Sequence, residues 1–412
     1  MKAPSSQAAT SKPFGFMEYF ERKTSAYLNK SRKTVIIRTI FTILLFALLY
    51  LTLTMGIVMM LIMTLMIQIK GFFELIDIAY QMCKMHDLPW FRSLSWYFLI
   101  AANYYFYGEN IMEHFYVFIE DIPSVKFLIL YHRFICFIIY IFGFIAFILT
   151  LKKKHGKKQF ALLAWTHVAL LVIVTSSYTA MRNCFHGLIW CVHGLVIMAF
   201  NDIFAYICGK LLGKTPLIKV SPKKTWEGFI GGAVFSIFLS FLIASFLCQY
   251  DYLVCPIEYR KIKETITLIN TCERSYMFKL KDYSFELEFL NISLKTTIRV
   301  YPFVLHAFWF ALFGSIIAPF GGFFASGFKR AFNVKDFGCA IPGHGGILDR
   351  FDCQIFMTNF INVYIATFVK TSTVEALFKK ILKLKSDDQL EFFWILQEQL
   401  LKHGINFKEI ND

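Results

Sequence analysis

Residues 34–69 read TVIIRTIFTILLFALLYLTLTMGIVMMLIMTLMIQI, with Arg38 the only charged side chain in the run. The stretch is nearly twice the ~20 residues that one helix needs to cross a hydrocarbon core. It therefore predicts two helices, 34–52 and 53–70, that turn near Leu51 to Gly56. Working outward, comparable apolar segments recur at 93–110, 130–151, 160–180, 184–208, 229–249, 303–325 and 353–369, which makes about nine spans. The chain has 412 residues, 57% of them hydrophobic and 17% charged, with mean hydropathy +0.54. Those values exclude a soluble two-domain protein and give the fold class as an all-α polytopic integral membrane protein.

The domain organisation follows from the same pattern. Residues 1–33 form a basic tail (Lys2, Lys12, Arg22, Lys23, Lys30, Arg32, Lys33). The apolar run behind it is much longer than the h-region of a cleavable signal, so the first segment is expected to stay as an anchor. Residues 34–373 form the transmembrane domain and 374–412 a C-terminal tail in which LEFFWILQEQLL has the spacing of an amphipathic peripheral helix. Strict parity puts that tail in the lumen, and a re-entrant 353–369 segment would reverse it.

Loop charge orients the chain. With the tail in the cytosol, the cluster Lys152, Lys153, Lys154, Lys157, Lys158 and the loops 209–228 and 326–352 fall on the same side, as the positive-inside rule requires. The connection with Glu113, Glu120 and Asp121 and the long loop 250–302 fall on the other. That long loop contains the sequon Asn291-Ile-Ser293 and the cysteines Cys255 and Cys272, able to pair in an oxidising lumen. Whether they pair, and whether Asn291 carries a glycan, stays open. Ten cysteines include no CxxC, so zinc and thioredoxin-like centres are not indicated.

A net charge of +15 placed in loops favours anionic partners, lipid headgroups or nucleotide phosphates. No long basic helix or aromatic RNA-binding motif accompanies it, and nucleic acid is not expected as a partner. Gly228 and Gly232 have the small-xxx-small spacing that permits close helix packing within one chain or in a homodimer.

Two cytosolic loops concentrate chemistry. In the first, Asp202 sits near the end of an apolar helix, where a carboxylate is costly and is either functional or an interfacial cap. Gly213-Lys214-Thr215 imitates the end of a P-loop, but Cys208 stands where the motif needs glycine. Ser221-Pro222 reads as an N-cap and first helical residue, starting a helix with Lys223, Lys224, Trp226 and Glu227 whose N-terminus is suited to phosphate. The alternative is a plain positive-inside stop.

The second loop, Ser326 to Asp352, reads SGFKRAFNVKDFGCAIPGHGGILDRFD. Asp349 and Asp352 at i, i+3 are expected on one face of a first helical turn, with Asp336 near in sequence, as oxygen ligands for Mg²⁺. Lys329, Arg330, Lys335 and Arg350 are candidates to neutralise phosphate. The turn of Gly343, Gly345 and Gly346 lets backbone approach a nucleotide. His344 is a candidate to donate to phosphate or orient a carboxylate, against the simpler reading of a hydrogen-bonded loop histidine.

Ser326-x-x-Lys329-Arg330-x4-Lys335-Asp336 followed by Pro342-Gly343-His344-Gly345-Gly346-x-x-Asp349-Arg350-x-Asp352 resembles the signature of the phosphatidate cytidylyltransferases, the CDP-diacylglycerol synthases. SPKKTWEGFIGG and DLPWFRSLSWYF (Asp87 to Phe98) resemble the eukaryotic branch, so the likeness runs from about residue 34 to the C-terminus. The resemblance implies transfer of CMP from CTP to phosphatidic acid, with Mg²⁺, in the endoplasmic reticulum membrane. It implies Asp336, Asp349 and Asp352, with His344, as catalytic or metal candidates. Ser221, Lys223, Lys224, Lys329, Arg330, Lys335, Arg350 and the three glycines are substrate-binding candidates, and Asp202 is a further metal candidate. Bacterial members tend to carry a Gly-Asp pair four residues before the signature serine, where this chain has Gly321-Gly322. One metal or two is therefore open. A CTP-dependent polyprenol kinase and an anionic-lipid transporter are the rival readings.

Overall fold

The computed structural model describes residues 30–83, 90–115, 118, 122–256, 258–262, 265–269, 272, 274–289, 292–343, 345–369, 381 and 384–403. Most of the basic tail, Asp87, Glu120, Asp121, Asn291 and His344 lie outside that set, as does the side chain of Glu113. Two compact units divide the chain, Met1–Ile361 and Asn362–Asp412.

The opening run forms α1 (Lys30–Thr54) and α2 (Ile57–Cys83). The break falls at Met55–Gly56, where Gly56 takes φ +85°, a left-handed conformation that ends the first helix at little steric cost to glycine. Next come α3 (Trp90–His114), α4 (Pro123–Leu130), α5 (His132–Leu149), α6 (Gly156–Phe185), α7 (Leu188–Leu212) and α8 (Trp226–Leu247). A short turn α9 (Asp251–Val254), α10 (Pro302–Ile316), α11 (Pro319–Ala331) and α12 (Leu348–Tyr364) complete the first run. The expected span 303–325 is thus two helices. Pro319 has no backbone N–H and cannot continue the ladder of α10, but it suits the first turn of α11.

Among the described residues, seven stretches are long and apolar enough to cross a membrane: Ile36–Thr54, α2, α5, α6, α7, α8 and Pro302–Ala331. Helices α3 and α12 occupy the two remaining expected positions. α3 carries Arg92, Glu109 and Glu113, and the 17-residue α12 opens with Asp349, Arg350 and Asp352, so both are more polar.

Packing is tightest between α7 and α8. A Cβ on Gly228 would lie 2.6 Å from the carbonyl oxygen of Ala205, and one on Gly232 3.0 Å from the Ala205 Cβ. The small-xxx-small face is therefore spent inside the chain, where it brings two backbones together. Buried polar pairs add to this: His193 Nε2 and Ser240 Oγ are 3.0 Å apart, and Ser240 donates to Ala307 O at 2.9 Å. Phe72, Ile76, Phe98, Leu162 and Val174 fill a core among α2, α3 and α6.

The 250–302 segment, expected as a long loop, holds two antiparallel ribbons. β1 (Glu258–Ile262) pairs with β2 (Thr265–Ile269), and β3 (Lys281–Phe289) with β4 (Ile292–Val300). Cys255 and Cys272 form a disulfide. Arg274 bonds Asp251 Oδ1 at 2.5 Å and the carbonyls of Cys248 and Gln249 at 3.1 Å, pinning the ribbons' base to the end of α8. In the second unit, α13 (Ser386–Lys402) is helical as its spacing predicts, with no buried residue.

Candidate functional site

Helix α11 ends with Lys329 and Arg330 in its last turn, cations that complement the negative end of the helix dipole. Asn333 follows at φ 53°, and the N–H of Val334 bonds Lys329 O at 3.0 Å, which closes the helix. The glycine-rich loop then folds on itself. Ile341 and Gly345 exchange backbone hydrogen bonds of 2.9 and 3.0 Å, and Gly343 and Gly345 turn the chain with φ of +76° and +89°.

Asp349 is the hub of this loop. Its Oδ1 pairs with Lys329 Nζ, while its Oδ2 accepts from the backbone N–H of Phe337 and of Gly346, each at 3.0 Å. The side chains of Lys329 and Asp349 are 18% and 4% exposed, so the pair is desolvated. Three of a carboxylate's roughly four acceptor positions are thereby used. Asp336 is exposed and lies over the turn: a Cβ on Gly345 would be 3.2 Å from Asp349 Oδ2 and 3.3 Å from Asp336 Oδ1.

Asp352 faces elsewhere. Its Oδ1 accepts from the Cys353 N–H at 2.8 Å. A Cβ on Gly322 would lie 3.4 Å from its Oδ2, and one on Gly321 would collide with its carbonyl. Asp352 interacts electrostatically with Asp202 of α7 and with Lys224, and Asp202 interacts with Lys224 and Arg350. Asp349 and Asp352 thus stand one turn apart at the start of α12, as expected, but have different polar partners. Spacing at i, i+3 puts them on one helical face, but the loop closes over the first and leaves the second toward α7.

One correction concerns Ser221-Pro222, which do not start a helix. Leu217 N bonds Lys224 O at 2.8 Å and Trp226 N bonds Thr215 O at 3.0 Å, so this segment is a closed hairpin loop with turns at 219–220 and 222–223, and Pro216 bridges to Thr225. Thr225 is the N-cap, its hydroxyl accepting from Gly228 N at 3.2 Å. Glu227 fastens the hairpin by accepting from Thr215 Oγ1 at 2.9 Å. The two loops do meet: Lys224 Nζ stands 4.8 Å over the Phe323 ring, and Val220 lies 3.7 Å from a Cβ placed on Gly327. Lys223, Arg330 and Lys335 are exposed and form no ion pair among the described residues, and Arg350 is exposed as well.

Two residues were missed in the sequence. Glu74 of α2, 5% exposed, accepts from the N–H groups of Ile347 at 2.9 Å and Leu348 at 3.0 Å. Arg38 of α1 donates its Nε–H to Gly343 O at 3.1 Å. Glu74 had one signal: a carboxylate inside an apolar helix is expensive.

Chemically the arrangement offers two carboxylates within electrostatic reach of each other, Asp202 and Asp352, with Lys224 acting on both and Arg350 on Asp202. Oxygen-only donors suit a hard cation such as Mg²⁺. Among the described residues, no group of three or more His, Cys, Asp or Glu side chains is preassembled for a metal.

Known proteins resemble this chain along most of its length. Phosphatidate cytidylyltransferase 1 of Mus musculus and of Homo sapiens are each 44% identical over 384 residues, which is 93% of this chain and 83% of each relative. Phosphatidate cytidylyltransferase 2 of Homo sapiens is 44% identical over 373 residues, 90% of this chain and 82% of its own length. The phosphatidate cytidylyltransferase of Caenorhabditis elegans is 41% identical over 374 residues, 90% of this chain and 79% of that protein. The profile of the cytidylyltransferase family matches residues 36–368, taking in both loops and every helix that supports them, and the chain belongs to that family.

Proposed function

We propose that this protein is a CTP:phosphatidate cytidylyltransferase of the endoplasmic reticulum membrane, with its site on the cytosolic face. The observation that carries the reading is the meeting of two basic membrane-edge loops, with Lys224 over the Phe323 ring and Val220 against Gly327, in electrostatic reach of Asp202 and Asp352. Its chemistry suits an anionic lipid and an anionic nucleotide at once. The relatives' shared name supplies the substrates, and the basic loops support the orientation.

In the reaction, a phosphate oxygen of phosphatidate attacks the α-phosphorus of CTP. The bond from that phosphorus to the bridging oxygen breaks, leaving CDP-diacylglycerol and pyrophosphate. The nucleophile is already anionic, so no strong general base is required. The barrier lies in bringing two anions together and in charge building on the leaving group. Lys224 and Arg350 neutralise phosphate oxygens beside the carboxylates, and the exposed Lys223, Arg330 and Lys335 attract the triphosphate to the loop. Asp202 and Asp352 would hold Mg²⁺, which when bound supplies countercharge to the phosphates. Asp349 fixes the loop through Lys329, Phe337 and Gly346, and Asp336 borders the turn at Gly345. The membrane-embedded bundle lets the lipid headgroup enter sideways while CTP arrives from water.

The test is purified protein incubated with CTP labelled at the α-phosphate and with phosphatidate, dolichol or diacylglycerol as acceptor. The expected product is labelled CDP-diacylglycerol from phosphatidate alone, with Asp202→Asn and Asp352→Asn each slowing turnover by about 10²-fold or more. Label recovered as CDP with a phosphorylated polyprenol would sink this reading in favour of a kinase.

A further inference from the structure

α12 begins at Leu348 without a cap of its own, since the residues before it, Gly345, Gly346 and Ile347, bring no side-chain oxygen. The first N–H groups of a helix need acceptors, and buried ones without them cost about 1–3 kcal/mol each. The acceptors come from another helix, at a sequence distance of 273 and 274 residues: Glu74 Oε1 takes the N–H of Ile347 and Oε2 that of Leu348. The fit is close on every side. A Cβ on Gly338 would lie 2.6 Å from Glu74 Oε1, and one on Gly346 2.7 Å from Oε2. One turn earlier on the same face of α2, Gly71 leaves room for the Leu348 side chain, which would come within 3.3 Å of a Cβ there. Lys70 and Asp349 are the charges that interact with the Glu74 carboxylate.

These contacts converge on the segment that carries Asp349 and Asp352. Gly346 N is bound by Asp349, the next two N–H groups by Glu74, and Asp352 follows one turn on. From α1, Arg38 holds the far side of the same turn at Gly343 O. A capping carboxylate that only stabilised a helix could come from the adjacent loop. One supplied by the membrane hairpin instead fixes where the helix start stands in the bundle.

We propose that Glu74 is a positioning residue for the cytidylyl transfer: by holding the N–H groups of Ile347 and Leu348 it sets the position of Asp349 and Asp352 at the start of α12. This rests on the reading of function given above. Glu74 does not touch substrate. Its loss is therefore expected to lower kcat and to leave KM for CTP nearly unchanged, because the exposed cations that attract CTP stay in place.

The experiment uses the full chain in lipid nanodiscs. Glu74→Gln keeps size but offers one acceptor and a donor amide where two acceptors are needed. Gly338→Ala keeps the carboxylate and pushes it. For both, kcat is expected to fall about 10- to 100-fold, as for ångström-scale misplacement, with KM for CTP within about threefold. Amide hydrogen exchange at residues 345–350 should accelerate in both variants while the rest of the bundle keeps its protection. Unchanged kcat with lost protection overturns the proposal, as does a rise in KM at constant kcat. If neither variant gives folded protein, Glu74 holds the fold as a whole and the proposal is overturned. A wild-type chain that makes no CDP-diacylglycerol, with intact protection at residues 345–350, instead refutes the assigned reaction and removes the positioning role with it.

Discussion

Gly228→Ala tests how finely the α7–α8 contact sets the site. The added Cβ would lie 2.6 Å from Ala205 O and 2.9 Å from Gly209 Cα, both backbone atoms that cannot swing aside. Carbon–oxygen contacts settle near about 3.3 Å, so the start of α8 must move by roughly 0.7 Å from α7. That shift moves the hairpin bearing Lys224 relative to Asp202, with which it interacts. Overpacking of this kind costs about 1–3 kcal/mol of stability, and displacement of this size costs roughly 10- to 100-fold in rate. The assay is CDP-diacylglycerol formation at saturating CTP, read beside thermal unfolding in the same lipid. Gly156→Ala is the control, because a Cβ there meets nothing within 4 Å. If Gly228→Ala retains wild-type kcat, the α7–α8 contact does not set the site and the placement of Lys224 against Asp202 loses its role.

Two further predictions concern pairs of side chains. Lys329→Met removes the partner of a nearly fully buried carboxylate and is expected to destabilise the protein by about 3–5 kcal/mol, a far larger effect than that of the exposed Lys335→Met, as measured by thermal unfolding. Replacing Cys255 and Cys272 together by serine opens a loop with a sequence separation of 17 and should cost about 3 kcal/mol of stability in that region, while turnover, whose residues lie on other elements, stays within twofold.

Much of the fold was legible because hydropathy and loop charge act over long windows. The break at Met55–Gly56 falls where the overlong apolar run required a turn. Features decided by tertiary contact were less readable. Ser221 and Thr225 are both good N-cap residues followed by plausible first turns, and only the pairing of Leu217 with Lys224 excludes the former. The ribbons escaped notice because their alternation, Phe285, Leu287 and Phe289, is short and lies in a charged loop. Glu74 carried the same warning as Asp202, a carboxylate in an apolar helix, but its partners are backbone N–H groups with no sequence signature. Helical spacing put Asp349 and Asp352 on one face and could not foresee that a loop would take three acceptor positions of the first.

That division gives the two acidic positions different electrostatic duties. Asp349 is neutralised within the protein by Lys329, so the loop carries no free charge from this pair. At the junction, Asp202 and Asp352 are balanced by Lys224 and Arg350, two negative and two positive side chains, for a formal sum of zero. A neutral cluster gives a triphosphate little net attraction. A divalent cation held by the same carboxylates would change the sum to +2, just as the reaction requires positive charge on the phosphates and the pyrophosphate leaving group. A lysine alone in place of the carboxylates would attract CTP more strongly at rest, but it would also hold pyrophosphate after transfer. On the proposed assignment, a cluster whose charge would arrive and leave with a metal–phosphate complex avoids that trap, a physical reason for such a site to keep two carboxylates.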